Sequence, residues 1–390
     1  MSIAADLSNV DIVDPSGRAL AETGLRLDVS TVSGAEWDRT IATFDEVCQE
    51  QLYTFAVTRW PNVAQEPMLF SLDGEVVGGS LTMIQKLPLG IGNIAVSKWG
   101  PMLKQVDHPR ANEIYRAMIA ILMRDYAQER GMMLSILPRA SLTPVNARYE
   151  YLMKQGFKRG SSLLFPDRYI VNLRQDDVAL RKSFAQKWRY HLNKAQKASL
   201  SFEHGDAARF SEFHDLYQAM SDRKQFPDHS AYDTVESLMA LEEALRPELF
   251  FVRHEGELVA GALIFKSGDR AVYLYGATND RALPLRAGYF LHWEIIRWLR
   301  DNTRASWYDL GGTDGFQGLH QFKKGMVGDA GVIEPVPPVA NYAANKWSYL
   351  LGTGAFAARD AVHDARRRFD AMRSNKARPT QSRTSDSEGN

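Results

Sequence analysis

The sequence predicts an α/β protein of two tandem units, each a mixed central sheet flanked by helices, followed by a helical segment. Three observations carry that prediction. The chain has 390 residues, more than one ordinary domain holds. A hairpin-like stretch, LFSLDGEVVGGSL from Leu69, returns as FFVRHEGELVAGAL from Phe250. Around each copy the same order recurs, hairpin, strand, helix, strand, roughly 180 residues apart, which points to duplication of one unit.

Residues 1–25 read as a polar arm and 26–176 as the first unit. Within it LRLDVSTVS is a strand, and Ser33-Gly-Ala-Glu36 is a capping box that opens a helix. Asp73-Gly74 turns the hairpin. The apolar period of residues 111–130 makes an amphipathic helix that Gly131 ends. MMLSILPR is the next strand. A helix near Ala147–Gln155 and a last strand within SSLLFPDRYIVNL complete the unit. The second unit, 177–337, opens with a basic helix over 180–198. It then repeats the series with its hairpin, AVYLYGAT, the helix RAGYFLHWEIIRWLRDNT and SWYDLGG. Residues 338–373 read as a helical segment packed on the second unit, and 374–390 as a polar, disordered tail.

Composition bounds the function. A hydrophobic fraction of 45% supplies real cores, and 47 basic against 47 acidic residues exclude a general nucleic-acid coat protein. Cys48 is the single cysteine, so no disulfide framework exists, and it reads as a small buried hydrophobe. With no spanning run and no signal-peptide pattern, a cytoplasmic location is expected. The nine histidines show no metal-ligand spacing, no G-x-S-x-G or H-E-x-x-H occurs, and no metal is expected.

Two stretches depart from this even background. Arg181–Lys197, RKSFAQKWRYHLNKAQK, holds six cations and no acid. On one helix, Phe184, Trp188, Leu192 and Ala195 form a narrow apolar stripe, and Lys182, Lys187, Arg189, Lys194 and Lys197 fan across the other side. An unmixed cationic face suits phosphates, so Lys187, Arg189, Lys194 and Lys197 are candidate anion contacts. The second stretch is YDLGGTDGFQGLHQFKKGMVG. Asp309 stands at a strand end, Gly311 and Gly312 loosen the backbone for close approach to a ligand, and Phe322-Lys323-Lys324 sets cations beside an apolar anchor. His320 lies inside that loop.

Gly100-Pro101 after a strand, the basic stretch running on into ASLSFE, and WYDLGG…GLHQFKKG together resemble the FemABX family over about residues 28–335. That family comprises aminoacyl-tRNA-dependent peptidyltransferases built of two GNAT-like units. The resemblance implies transfer of an aminoacyl group from tRNA to an amine, such as one on a peptidoglycan precursor, with aminoacyl-tRNA as co-substrate and no bound cofactor. It maps the family's lysine onto Lys323, which would stabilise a tetrahedral oxyanion or hold a substrate phosphate. Asp309 is then the sequence candidate for general base. Phe210–Leu249 leaves no room for the long coiled-coil arm of some members. A CoA-dependent N-acyltransferase, taking acetyl-CoA or another acyl-CoA, is the alternative. Its pyrophosphate turn is matched only by Arg286-Ala-Gly288, with one glycine and the wrong spacing. A non-catalytic RNA- or membrane-binding protein is a second alternative. Residues 341–373 could supply peripheral contact with the inner face of the plasma membrane.

Overall fold

The computed structural model describes residues 25–224 and 231–376. The expected arm, apart from Leu25, and the expected tail, apart from its first three residues, lie outside them. In the first half come β1 (Asp28–Thr31), α1 (Gly34–Ile41), α2 (Tyr53–Arg59), β2 (Ala64–Leu72), β3 (Glu75–Lys86), β4 (Asn93–Lys98) and β5 (Met102–Leu103). They are followed by α3 (Ala111–Leu122), β6 (Met133–Leu137), α4 (Ala147–Lys154) and β7 (Lys158–Arg159). Ser33 caps α1 as expected, its hydroxyl accepting from the Glu36 N–H at 3.2 Å. The long helix begins at Ala111, but its last turns, Met123–Glu129, widen into a π-helix before Gly131 turns left-handed.

The second half contains β8 (Asp167–Asn172), α5 (Asp177–Ser183), α6 (Gln186–Ala195), β9 (Leu200–Gly205), α7 (Phe210–Lys224) and α8 (Val235–Met239). Then come β10 (Glu248–His254), β11 (Glu257–Phe265), β12 (Arg270–Thr278), α9 (Ala282–Leu285), α10 (Ala287–Asn302), β13 (Trp307–Asp309) and α11 (Gln317–Val327). The chain finishes with β14 (Val332–Pro335), β15 (Ala340–Tyr342) and α12 (Lys346–Lys376).

Two mixed sheets result, with strand orders β1-β2-β3-β4-β6-β15-β7 and β14-β8-β13-β12-β11-β10-β9; β5 pairs beside β3. Both hairpins form where the sequence repeats. Each sheet contains one parallel pair at its centre, β4 with β6 and β12 with β13. The fold is thus two GNAT-like units, as expected.

The chain nevertheless crosses between the sheets twice. The strand within SSLLFPDRYIVNL, read with the first unit, is β8 and lies between β13 and β14 of the second sheet. The segment after 338, read as helical, first lays β15 into the first sheet between β6 and β7. Every residue of β6 is buried, so its second edge needs a partner, and two-residue β7 is too short to provide one. Asn341, itself buried, accepts from the Ser135 hydroxyl at 2.7 Å and locks that pairing. Consequently α12 packs on the first unit, not the second. Phe356, Tyr349 and Leu351 join Leu87, Ile94 and Met133.

The basic stretch is not one helix. α5 ends at Ser183, Phe184 and Ala185 are extended, and α6 starts at Gln186. The break serves α11: the Ala185 N–H donates to the Gly325 carbonyl at 2.9 Å, and Ser183 accepts from the Asp329 N–H at 3.0 Å. The predicted apolar stripe survives the break. Phe184, Trp188, Leu192 and Ala195 are all buried, with Phe184 against Trp188 at 4.5 Å and Trp293 at 5.9 Å. Cys48 is buried as expected, and desolvation pushes its thiol up to about 12.

Candidate active site

The second sheet opens at its centre. β12 and β13 pair only from Arg270↔Trp307 to Val272↔Asp309; β12 then runs on to Thr278 while the other strand stops. Beyond Asp309 the carbonyls of Leu310 and Gly312 would face the gap unpaired. Lys323 of α11 fills it, its Nζ donating to both carbonyls at 2.5 Å. The amine sits 5.8 Å from the centre of the Tyr273 ring and is almost wholly buried. Burial and the neighbouring Arg168 guanidinium lower it from 10.5 to about 8, against the pull of Asp309 and Asp314. At neutral pH it is therefore still mainly the ammonium, by roughly ten to one.

Asp309 lies one residue before that gap and is fully buried. Arg168 of β8 spans both its oxygens, Nε at 3.1 and 3.2 Å, and the Gly311 N–H donates to Oδ1 at 2.9 Å. Burial alone would raise this carboxyl; Arg168, Arg270 and the two sets of hydrogen bonds outweigh it and hold the group below its usual range. A carboxylate so engaged is a poor proton acceptor. Its evident work is to position Arg168 and the turn at Gly311, where φ is +76° and a side chain would be strained. Both carboxylate oxygens of the expected general base are thus occupied by Arg168, and Oδ1 also by the Gly311 N–H.

The three stretches of the FemABX resemblance meet here. Trp99, just before the cis Gly100-Pro101 bond, lies under the Arg168 guanidinium at 4.9 Å. Trp188 of the basic stretch packs on Phe322 at 6.2 Å, and Phe322 also meets His292 at 5.5 Å and Tyr289 at 4.9 Å. His292 donates or accepts with the Tyr308 hydroxyl at 3.1 Å; burial, then Lys323, lower it to about 3, so it stays neutral. His320 binds the Tyr169 hydroxyl at 2.6 Å. Phe322 is thus a packing anchor of the site, whereas Lys324 is exposed. The Leu163-Leu164-Phe165 loop and Phe316 leave four large apolar side chains exposed at the rim, with Phe165 against Gly315.

The predicted anion contacts divide. Lys187, Lys194 and Lys197 are exposed, and no carboxylate among the described residues pairs with them. Arg189 instead donates to the carbonyls of Lys182 and Phe184 at 2.7 and 2.6 Å, closing the C-terminal end of α5. Reading the stretch as one helix concealed that role. Arg168, Tyr273 and His292 were not singled out from the sequence. Arg168 stood in a strand assigned to the other unit, and alternation along β12 would have misplaced Tyr273. The pairing with β11 is bulged at Leu274, so Tyr273 faces His292 and Lys323 while Tyr275 faces Tyr217 and Tyr232 on the opposite side. Among the described residues no group of histidine, cysteine or carboxylate side chains could hold a metal ion.

This geometry defines a two-unit GNAT-like acyltransferase fold with a lysine set in the opened centre of its second sheet. Residues 182–324 match the family described as acetyltransferase (GNAT) domain. The solved structure of FemX superimposes with a TM-score of 0.67 at 18% identity, covering 84% of this chain and 100% of that one. The C-terminal domain of a putative lysylphosphatidylglycerol synthetase from Agrobacterium fabrum follows at TM-score 0.52 and 13% identity, over 83% and 96%. A lipid II:glycine glycyltransferase of Staphylococcus epidermidis is 33% identical over 60 residues, 15% of this chain. The match spans only 14% of that relative. The chain is FemABX-like.

Proposed function

We propose that the protein is an aminoacyltransferase that moves an aminoacyl group from aminoacyl-tRNA to an amine of a peptidoglycan precursor. The observation that carries this reading is Lys323, a buried ammonium held by two carbonyls in the gap between β12 and β13. The acceptor class follows the named activity of the staphylococcal relative, and the donor follows the FemABX resemblance.

In the reaction the acceptor nitrogen attacks the ester carbonyl carbon, a C–N bond forms, and the carbonyl oxygen becomes an oxyanion. Lys323 spends two N–H groups on Leu310 and Gly312, so its ammonium has a third to give that oxygen. Collapse breaks the ester C–O bond. The proton lost by the nitrogen ends on the departing ribose hydroxyl, which serves as its own acceptor because Asp309 is committed to Arg168. Arg168 and Asp309 position the Leu310–Gly312 turn that orients Lys323. Lys187, Lys194, Lys197 and Lys324 would meet substrate phosphates.

The test is donor choice. Purified protein receives envelope precursors with labelled aminoacyl-tRNA or labelled acetyl-CoA, and label on the precursor is followed. Transfer from charged tRNA alone supports the reading; transfer from acetyl-CoA alone refutes it. The CoA reading keeps one observation in its favour, the GNAT match with α10 opening at Arg286 without a side-chain cap. Any membrane contact within 341–373 would fall to the outer face of α12, where Trp347 and Leu350 are exposed, since Asn341 and Tyr342 are buried. No helix among the described residues is long and apolar enough to cross a membrane.

A further inference from the structure

α6 has a polar flank on each side of its buried stripe. Lys187, His191 and Lys194, at i, i+4 and i+7, lie along the flank where His191 meets Tyr289 in the first turn of α10, ring centres 4.9 Å apart. Arg189, Asn193 and Gln196 repeat the spacing on the other flank, and this one closes a groove of about 630 Å³ with α5 and α10. The groove presents Arg181 and Lys182 from α5, Arg189 from α6 and Arg297 from α10 against one carboxylate, Asp177. That carboxylate is already engaged by Arg297 at 3.3 Å and by Arg300.

The guanidiniums are set in place before any ligand arrives. Arg181 donates through Nη2 to Asn193 and, at 2.8 Å, to Gln196, and it stands 5.8 Å from the centre of the Trp293 ring. Arg189 is fixed by the two carbonyls that end α5. Lys182 is exposed, and no carboxylate among the described residues pairs with it. Arg297 is also paired with Glu294 at 3.1 Å, so the uncompensated charge of the groove lies on Arg181, Lys182 and Arg189, and gathering it there costs folding free energy. Fixed planar forks match phosphate oxygens, and the volume is that of a ligand site.

We infer that the groove between α5, α6 and α10 binds phosphate-ester anions through Arg181, Lys182 and Arg297, apart from the Lys323 cleft. The backbone of a polynucleotide and the diphosphate of a nucleotide-linked small molecule share this chemistry. The inference rests on the groove alone and holds whichever donor the cleft uses.

The whole protein is titrated with a fluorescent RNA stem-loop across a salt series, and with inorganic pyrophosphate as competitor. Arg181→Gln with Lys182→Gln should weaken RNA binding at least tenfold and flatten the logarithmic salt dependence by about 1.5, near 0.7–0.9 per lost contact. Asn193→Asp keeps every cation and places a carboxylate beside Arg181; it should weaken binding in the same direction while the protein melts as the wild type does. Displacement by pyrophosphate beyond its effect as a salt identifies a diphosphate source, and displacement only as a salt identifies a polynucleotide backbone. Unchanged affinity and slope in both variants would overturn the inference. So would loss of RNA binding in Lys323→Met with none in the groove variants. Because no transfer is measured, the outcome is independent of donor choice.

Discussion

Replacing Lys323 by methionine separates the work of its charge from the work of its bulk. The fall from 10.5 to about 8 means that the folded protein holds the ammonium less readily than the unfolded chain. At about 1.4 kcal/mol per pH unit, the penalty below pH 8 is about 3 kcal/mol. Between pH 8 and 10.5 unfolding takes up a proton, so stability contributed by this group rises with pH across that window and is constant on either side. Methionine removes the penalty but strips Leu310 and Gly312 of their donor, at about 1–3 kcal/mol each. The two effects nearly offset at pH 7, so the variant should fold. Urea unfolding at pH 7 and 9.5 should then show the wild type gaining about 2 kcal/mol over the variant. Transfer should fall by about 10²–10³, and wild-type turnover should decline as pH rises through about 8, since the ammonium is the active form. Parallel stability curves would refute the buried titration. Turnover that climbs through pH 8 would make Lys323 a neutral base and sink the oxyanion role.

Asp309→Asn should leave the Arg168 charge buried and unpaired, destabilising the protein by about 3–5 kcal/mol in a denaturant titration. A loss under 1 kcal/mol would show that Trp99 and water suffice for Arg168. Gly311→Ala forces a side chain into φ +76°, and a cost of about 1–2 kcal/mol with reduced turnover is expected; unaltered melting would remove the turn from the site. Arg189→Ala should cost about 1–2 kcal/mol through the two freed carbonyls, whereas Lys194→Ala should leave stability within about 0.5 kcal/mol and weaken only salt-sensitive binding. Equal melting of the two variants would argue against the capping role of Arg189.

Local patterns were legible in the chain itself. The repeated hairpins, the Ser33 cap and the stripe Phe184, Trp188, Leu192 and Ala195 all follow from turn chemistry, capping and period, each set by neighbours within a dozen residues. The glycines and Lys323 could be marked as a site for the same reason: residue types that loosen a backbone or carry a charge stand close together in sequence. Long-range pairing was not legible. That β8 leaves the first sheet and β15 enters it depends on which exposed edge each strand meets, and alternation along a strand reveals a buried face but not its partner. The helix break at Phe184 was decided by one carbonyl of α11 and the Asp329 N–H just past its end, more than a hundred residues away. The pairing of Asp309 with Arg168, 141 residues distant, was equally hidden. A side chain's proton affinity is set by the charges and solvent around it, and those neighbours exist only once the sheets have formed.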